Sequence, residues 1–301
     1  MKILISSYVL NRSGTPTYTL TLYHELVRRG HEVTVYSPQM GPLAEQMKAV
    51  NNLSGLHPDV IIAQMNTCAV TLRSAFPSVP MIFSAHGIDP VSEQPPEVEV
   101  QWYTAINEDV RDNLVLHGIG PERITIVRDF IDTDLFRPVK PVNDEPQIVL
   151  FISNYKKWRT HAVINRACKK LRINYKAIGS PYGPSHHVEW DINKADLVVS
   201  VARGILEAMA CGRPVISFDI MRGDGYVTPE LYFESRTRNF GGRGFDRKCR
   251  YSFDTDSFAD EIKKYKAGDG VINRDIVLEH HSHVKGVDSL MSIIKNLYAG
   301  S

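Results

Sequence analysis

Residues 203–219 read Arg-Gly-Ile-Leu-Glu-Ala-Met-Ala-Cys-Gly-Arg-Pro-Val-Ile-Ser-Phe-Asp. They follow an apolar run at 195–201, Ala-Asp-Leu-Val-Val-Ser-Val, which reads as a buried strand. Gly204 opens a helix, Gly212 closes it, and 214–218 reads as the next strand. Strand, helix and strand in such close succession predict a parallel sheet. A helix that starts at the carboxyl end of a parallel strand points its free backbone N–H groups into the crevice above the sheet. The residues alone therefore predict an anion site on an α/β sheet. Glu207 lies one turn further in, on the face that a group attached to the anion would reach.

The same alternation runs through the rest of the chain. In the first half, strands are predicted at 2–6, 32–36, 59–63, 81–84, 101–105 and 124–127, with helices from Pro16 to Gly30 and over 108–116. Residues 11–15 read as a loop. After 137–146, which holds three prolines and no apolar periodicity and so reads as a linker, the pattern restarts. Strands at 147–152, 175–178 and 197–201 alternate with helices at 160–171 and from Gly204. Helices over 258–265 and 274–279 follow, and an amphipathic one over 283–298 ends the chain. A chain of 301 residues fits two domains of ordinary size. The expected division is 1–138, 139–282 and a final helix, 283–301.

Composition narrows the classes of function. The 35 Lys and Arg against 34 Asp and Glu leave no global field for nucleic acid or a membrane. Cys68, Cys168, Cys211 and Cys249 are far apart and form no CxxC pair, which argues against a zinc site or a disulfide framework. The start reads as a first strand and not a signal peptide, and no apolar run is long enough to span a bilayer. The cytoplasm is the expected compartment. No GxGxxG follows the first strand, so a dinucleotide cofactor is not expected.

The 203–219 stretch is similar to the donor-binding signature of GT-B glycosyltransferases, in particular glycosyltransferase family 4, which carry a Leu-Glu-Ala-Met-Ala-Cys-Gly-x-Pro-Val-like run. Further landmarks fall in the order of that family: Arg29-Gly-His-Glu-Val-Thr-Val35, Ser84-Ala-His-Gly-Ile-Asp89, Thr104-Ala-Ile-Asn-Glu-Asp-Val-Arg-Asp-Asn-Leu114, Pro121-Glu-Arg-Ile124 and Ile131-Asp-Thr-Asp-Leu-Phe-Arg-Pro138. The resemblance covers most of the chain. It implies two Rossmann-like doubly wound parallel-sheet domains facing across a cleft, with the last helix crossing back to the first domain. It also implies transfer of a sugar, typically a hexose, from a nucleoside-diphosphate-sugar to a hydroxyl acceptor. Retention of configuration and no divalent metal are expected; the nucleotide-sugar is a co-substrate, not a cofactor.

The resemblance assigns candidate residues. Ser153-Asn154-Tyr155-Lys156-Lys157-Trp158-Arg159 takes the place of the loop whose two cations hold the diphosphate, with Lys157 and Arg159 favoured and Lys156 kept open. Cations at a helix start oppose the helix dipole, which favours a ligand role. Arg203 and Gly204 add to the diphosphate site, and Glu207 would accept from the ribose hydroxyls. The family pairs this Glu with another eight residues earlier; here that position is Val199, inside the strand. A glycine-rich segment, Met221-Arg-Gly-Asp224-Gly225-Tyr-Val-Thr-Pro-Glu230, is expected at the cleft, where it would compensate with Asp224 on a sugar hydroxyl; the alternative is a plain glycine turn and flexible loop. Arg243, closing Asn239-Phe-Gly-Gly-Arg243, is a candidate for phosphate or acceptor. His86 is expected near the donor sugar, and Ser13-Gly14-Thr15 replaces the family's glycine loop for phosphate or acceptor. Tyr182, His186, His187 and Trp190 are candidates for stacking on the base. Asp132-Thr-Asp134, Asp254-Thr-Asp256 and the 280–283 His tract are discounted as metal sites.

Two rivals stand beside this reading. A non-catalytic nucleotide-sugar binding module is motivated by Val199; a GT-B type nucleotide-sugar epimerase would need proton-transfer carboxylates. The acceptor, whether a saccharide, a lipid-linked group or another hydroxyl, is open, as are the base and the sugar. Nucleic acid is not expected as a partner, and peripheral membrane contact is left open.

Overall fold

The computed structural model describes residues 1–299 apart from Pro90, Lys156, Lys157, Pro181, Met221 and 243–252. The chain divides into two compact units, Met1–Phe130 with His283–Ser301, and Ile131–Ser282. The first unit runs β1 (Lys2–Ser6), α1 (Gly14–Arg28), β2 (Glu32–Tyr36), β3 (Val60–Ala63), α2 (Asn66–Ala75), β4 (Met81–Ala85), β5 (Trp102–Ala105), α3 (Glu108–Leu116) and β6 (Ile124–Ile126). Its six strands form one sheet in the order β2-β1-β3-β4-β5-β6, every pair parallel. Successive strand residues face opposite sides. Ile3, Ile5 and Ile62 pack with Leu22 and Leu26 of α1, while Leu4, Ile61 and Phe83 pack with Leu72 of α2 and Leu114 of α3. Burial on both faces explains why these strands read as unbroken apolar runs.

The second unit runs β7 (Ile148–Ile152), α4 (Trp158–Leu171), β8 (Asn174–Ile178), α5 (Val188–Lys194), β9 (Leu197–Ser200), α6 (Arg203–Ala210), β10 (Val215–Asp219), β11 (Arg222–Tyr226), α7 (Pro229–Ser235), α8 (Thr255–Ile262) and α9 (Asp269–His280). The sheet order is β11-β10-β9-β7-β8, parallel except for β11, which runs antiparallel to β10. Leu150, Val198 and Val215 pack under Ile205, Leu206 and Met209 of α6, and Phe151, Val199 and Phe218 pack against Ile164 of α4 and Phe258 of α8. Val199 is thus core and fully buried. The final helix, α10 (His283–Ala299), returns to the first unit. There Arg29 joins Glu25 of α1 at 2.7 Å to Asp288 of α10 at 2.6 Å.

Several elements differ from the sequence expectation. The glycine-rich 222–226 segment, for which a plain glycine turn was the alternative, is a strand. Glycine has low strand propensity, and this one forms by pairing along β10. Its Gly223 lies so close to that neighbour that a Cβ there would meet Ser217 O at 1.8 Å. Gly14 and Thr15, read as loop, are the first turn of α1. Helices α2, α5 and α7 lack a long apolar stripe; α2 buries only Cys68, Ala69 and Leu72. Helix α8 starts three residues before the expected Phe258, at Thr255, because Asp254 caps it, accepting from the N–H groups of Asp256 at 3.0 Å and Ser257 at 2.8 Å. The other DxD string closes a turn, with Asp132 Oδ1 accepting from the N–H groups of Asp134 and Leu135.

The proline-rich 137–146 segment lies inside the second unit. Asp196 holds it, with Oδ1 accepting from the N–H and side-chain amide of Asn143 at 3.0 and 2.9 Å. Buried Arg213 donates to Lys140 O, Cys211 O and Asn193 O, so this member of the 203–219 motif serves the fold.

Candidate functional site

In the second unit the strand order reverses between β7 and β9, since β8 lies on one side of β7 while β9, β10 and β11 follow on the other. Ligands of open α/β sheets bind outside the carboxyl ends of the strands at such a switch point. Two of the predicted segments leave the sheet here: the loop from Ser153 after β7, and α6 after β9. Ser200 Oγ, at the end of β9, donates to Ile152 O at 2.9 Å and ties the two strand ends together. Gly204 then passes so close that a Cβ on it would lie 2.2 Å from Ser200 Oγ. Glycine lets α6 start directly against the sheet. The turn into it is tight: Ala202 has φ +52°, and no side chain caps the helix.

Arg203 and Glu207 are partners. Arg203 Nε donates to Glu207 Oε1 at 3.0 Å, with side chains only 8% and 13% exposed. The pair fixes the carboxylate one turn into α6. A carboxylate is an acceptor-only group of the kind that hydroxyls donate to.

The loop after β7 is braced from a direction the sequence did not reveal. Ser153 Oγ donates to Asp219 Oδ2 at 2.6 Å, and the Tyr155 N–H donates to Ser153 Oγ at 3.0 Å. Asp219 ends β10, on the far side of β9, so this hydrogen bond crosses the end of β9. Both side chains are buried, Ser153 at 5% and Asp219 at 2% exposure. Ser153, predicted to touch the donor, spends its hydroxyl on positioning the loop. Burial pushes the Asp219 carboxyl above the ordinary aspartate range, partly offset by Ser153 and the Ile220 N–H. The available signal was a carboxylate as the last residue of an apolar strand. Asp219→Ala should loosen this loop and cost about 1–3 kcal/mol of stability. A calorimetric melt measures it; an unchanged Tm would show that the contact does not brace the loop.

The remaining predicted residues are placed as follows. Asn154 is exposed, and its Oδ1 accepts from the Ser180 N–H at 3.1 Å. Arg159 is exposed in the first turn of α4, its guanidinium 5.8 Å from the Trp158 ring centre. Asp224 is buried on β11. Gly225 (φ +84°) is buried beside α8, where a Cβ would meet Glu261 Oε2 at 2.7 Å; its glycine answers to helix packing. Tyr182 is committed internally, stacked on His161 at 5.2 Å and tilted against Phe151. Trp190 is 66% exposed, and the exposed His187 ring meets it edge-on at 6.5 Å. Lys156, Lys157 and Arg243 lie outside the described residues.

In the first unit, His86 follows β4, and its Nε2 lies 3.4 Å from Ser84 Oγ. Its ring meets the edge of Tyr18 of α1 at 4.6 Å. This brings His86 beside the helix that Gly14 and Thr15 begin. Ser13, the N-cap, turns its hydroxyl to Asn11 Oδ1 and caps no N–H. Buried Glu93 accepts from the His86 backbone N–H, and burial raises its carboxyl pKa.

No protein-family model matches the sequence, and no curated protein matches it. Solved structures do. The chain is similar to Anabaena HepE in complex with UDP-glucose, at 14% identity and TM-score 0.67, over 98% of this chain and 100% of that one. It is similar to sucrose-phosphate synthase from Thermosynechococcus elongatus, at 14% identity and TM-score 0.67, over 100% of both chains. An alpha-glucosyltransferase in complex with UDP and a 13-mer DNA matches at 13% identity and TM-score 0.65, over 98% and 99%. Two α/β units, one on a six-stranded parallel sheet and one on a mostly parallel five-stranded sheet, give this chain the GT-B fold.

Proposed function

We propose that the protein transfers a sugar from a nucleoside-diphosphate-sugar to a hydroxyl acceptor, with retention of configuration and without a required metal. The observation that carries this is the convergence at the β7–β9 switch point. The start of α6, pressed to the sheet by Gly204 and carrying the Arg203–Glu207 pair, and the loop braced through Ser153 leave neighbouring strand ends that Ser200 ties together. Backbone N–H groups and cations there suit a diphosphate, and Glu207 suits the two ribose hydroxyls. Lys and Arg outnumber Asp and Glu by 24 to 20 in 131–282, but are outnumbered 11 to 14 in the first unit. That balance favours an anionic donor in the second unit and disfavours a polyanionic acceptor at the first.

In the proposed step the bond from the sugar's anomeric carbon to the diphosphate oxygen breaks. A bond to the acceptor oxygen forms on the same face, and the departing phosphate oxygen takes the acceptor proton. Lys157, Arg159 and the start of α6 stabilise the charge that develops on the leaving group. In the first unit, His86 and Ser13, Gly14 and Thr15 are assigned to the transferred sugar and the acceptor.

The test is thermal unfolding against UDP, GDP, ADP, CDP and dTDP. UDP comes first because HepE and the alpha-glucosyltransferase were crystallised with it. At 100 times its dissociation constant a ligand adds about 2.7 kcal/mol, a shift of several degrees. One nucleotide should give that shift in the wild type, and Glu207→Ala should lose most of it. No shift with any nucleotide overturns the donor site. Binding without sugar transfer to any hydroxyl acceptor would leave a non-catalytic binding module.

A further inference from the structure

Asp224, Ser235, Arg236 and Arg238 carry buried polar atoms without a hydrogen-bond partner among the described residues: both carboxylate oxygens of Asp224, Ser235 Oγ, Arg236 Nε, and Nε and Nη2 of Arg238. They belong to one corner of the second unit. Ser217 Oγ of β10 accepts from the Asp224 N–H at 3.3 Å and donates to Phe240 O at 2.7 Å. The Phe240 N–H donates to Ser235 O at 2.9 Å, and the Gly241 N–H to Arg238 O at 3.1 Å. A Cβ on Gly242 would come within 2.4 Å of Gly223 Cα. The 235–242 turn therefore lies directly on Gly223 and Asp224 of β11. Asn239 and Phe240 adopt φ +50° and +54° to make it.

A buried group left without a partner bears the full cost of its desolvation, so each one calls for an explanation. Guanidinium is always charged, and nothing in its chemistry relieves that cost by losing a proton. Arg236 is held by stacking on Tyr232 and Phe233, 5.5 and 4.9 Å from the ring centres. Arg238 Nη2 stands 3.6 Å from Glu234 Oε1, and the Arg238 side chain is only 14% exposed. Both cations are positioned by contacts that leave their Nε groups free to donate. Asp224, 3% exposed, supplies acceptors with no donor. A ligand with an oxyanion for the arginines and a hydroxyl for Asp224 would partner the charged members of this set.

β11 starts at the rim of the donor site, because Arg222 pairs with Asp219, the last residue of β10. We infer that this corner reads the transferred sugar and that the sugar carries a carboxylate, so that the donor is a nucleoside diphosphate uronic acid. Arg238, with Arg236, takes the carboxylate through its planar fork, and Asp224 takes a ring hydroxyl. This rests on the donor-site reading above.

The experiment is calorimetric titration of the full chain with a bare nucleoside diphosphate, its hexose conjugate and its uronic acid conjugate. The uronic acid form should bind about tenfold tighter than the hexose form. Arg238→Gln should remove that preference while changing affinity for the bare nucleotide less than about twofold, and Arg238→Lys should restore part of it. Equal or tighter binding of the hexose form by the wild type overturns the inference and leaves the donor site standing. So does an Arg238→Gln variant that weakens all three ligands alike. Should Arg238→Gln fail to fold, the wild-type comparison and Arg236→Gln decide. Failure of every nucleoside diphosphate to bind overturns the donor site and this inference together.

Discussion

Asp196→Ala should destabilise the second unit by about 3–5 kcal/mol, on the order of 10 °C in Tm. Asp196 is 4% exposed and caps four donors. Its Oδ1 takes the N–H and side-chain amide of Asn143, and its Oδ2 takes the N–H groups of Gln147 at 2.8 Å and Ile148 at 3.0 Å. Alanine orphans all four and releases the proline-rich entry into β7. Asp196→Asn should be nearly as damaging, because whichever way its amide turns, an NH2 group faces two N–H donors. Burial alone would raise this carboxyl's pKa, but the N–H groups of Asn143, Gln147 and Ile148 outweigh it and hold it below the ordinary aspartate range. Its contribution is therefore present above that range and is lost as pH falls through the lowered value. Calorimetric melts of both variants at neutral pH check this. An Asp196→Asn protein with wild-type Tm would show that the carboxylate is dispensable.

Gly204→Ala should weaken nucleotide binding about tenfold or more and cost the fold about 1–3 kcal/mol. Its Cβ would sit 2.2 Å from Ser200 Oγ and 3.0 Å from Ser200 Cβ. Rotating the Ser200 hydroxyl away breaks its bond to Ile152 O and still leaves the Cβ contact. The helix start must then lift from the sheet, at about 1–3 kcal/mol for overpacking, and its N–H groups move with it. Ser200→Gly removes both obstructing atoms, so the Ser200→Gly/Gly204→Ala double variant should recover binding, a non-additivity expected only of residues in contact. Titration with the preferred nucleotide measures it. Wild-type affinity in Gly204→Ala would mean that the start of α6 does not hold the ligand.

The central strands of both sheets were legible because each is an apolar run bounded by turn residues, and burial on both faces makes such runs hard to mistake. The 203–219 segment was legible for the same reason: Gly204 and Gly212 punctuate a strand-helix-strand pattern. Helices α2, α5 and α7 were not, since their short apolar faces are completed only by neighbours distant in sequence. β11 was not, because Arg-Gly-Asp-Gly-Tyr has little preference for a strand until β10 offers its edge.

The candidate site divides in the same way. Local sequence determined that Arg203, Gly204 and Glu207 open one helix at the end of one strand, since these relations span a single turn and follow from helix geometry. Tertiary structure alone decided that Ser153 braces its loop, because its partner Asp219 lies 66 residues away and meets it across β9. It likewise decided that the 235–242 turn lies against Asp224, through a hydrogen bond spanning 23 residues from Ser217 to Phe240. Hydrogen bonds between strand ends and loops depend on which strands become neighbours. That choice is made by packing the whole sheet and leaves no periodic trace in the residues themselves.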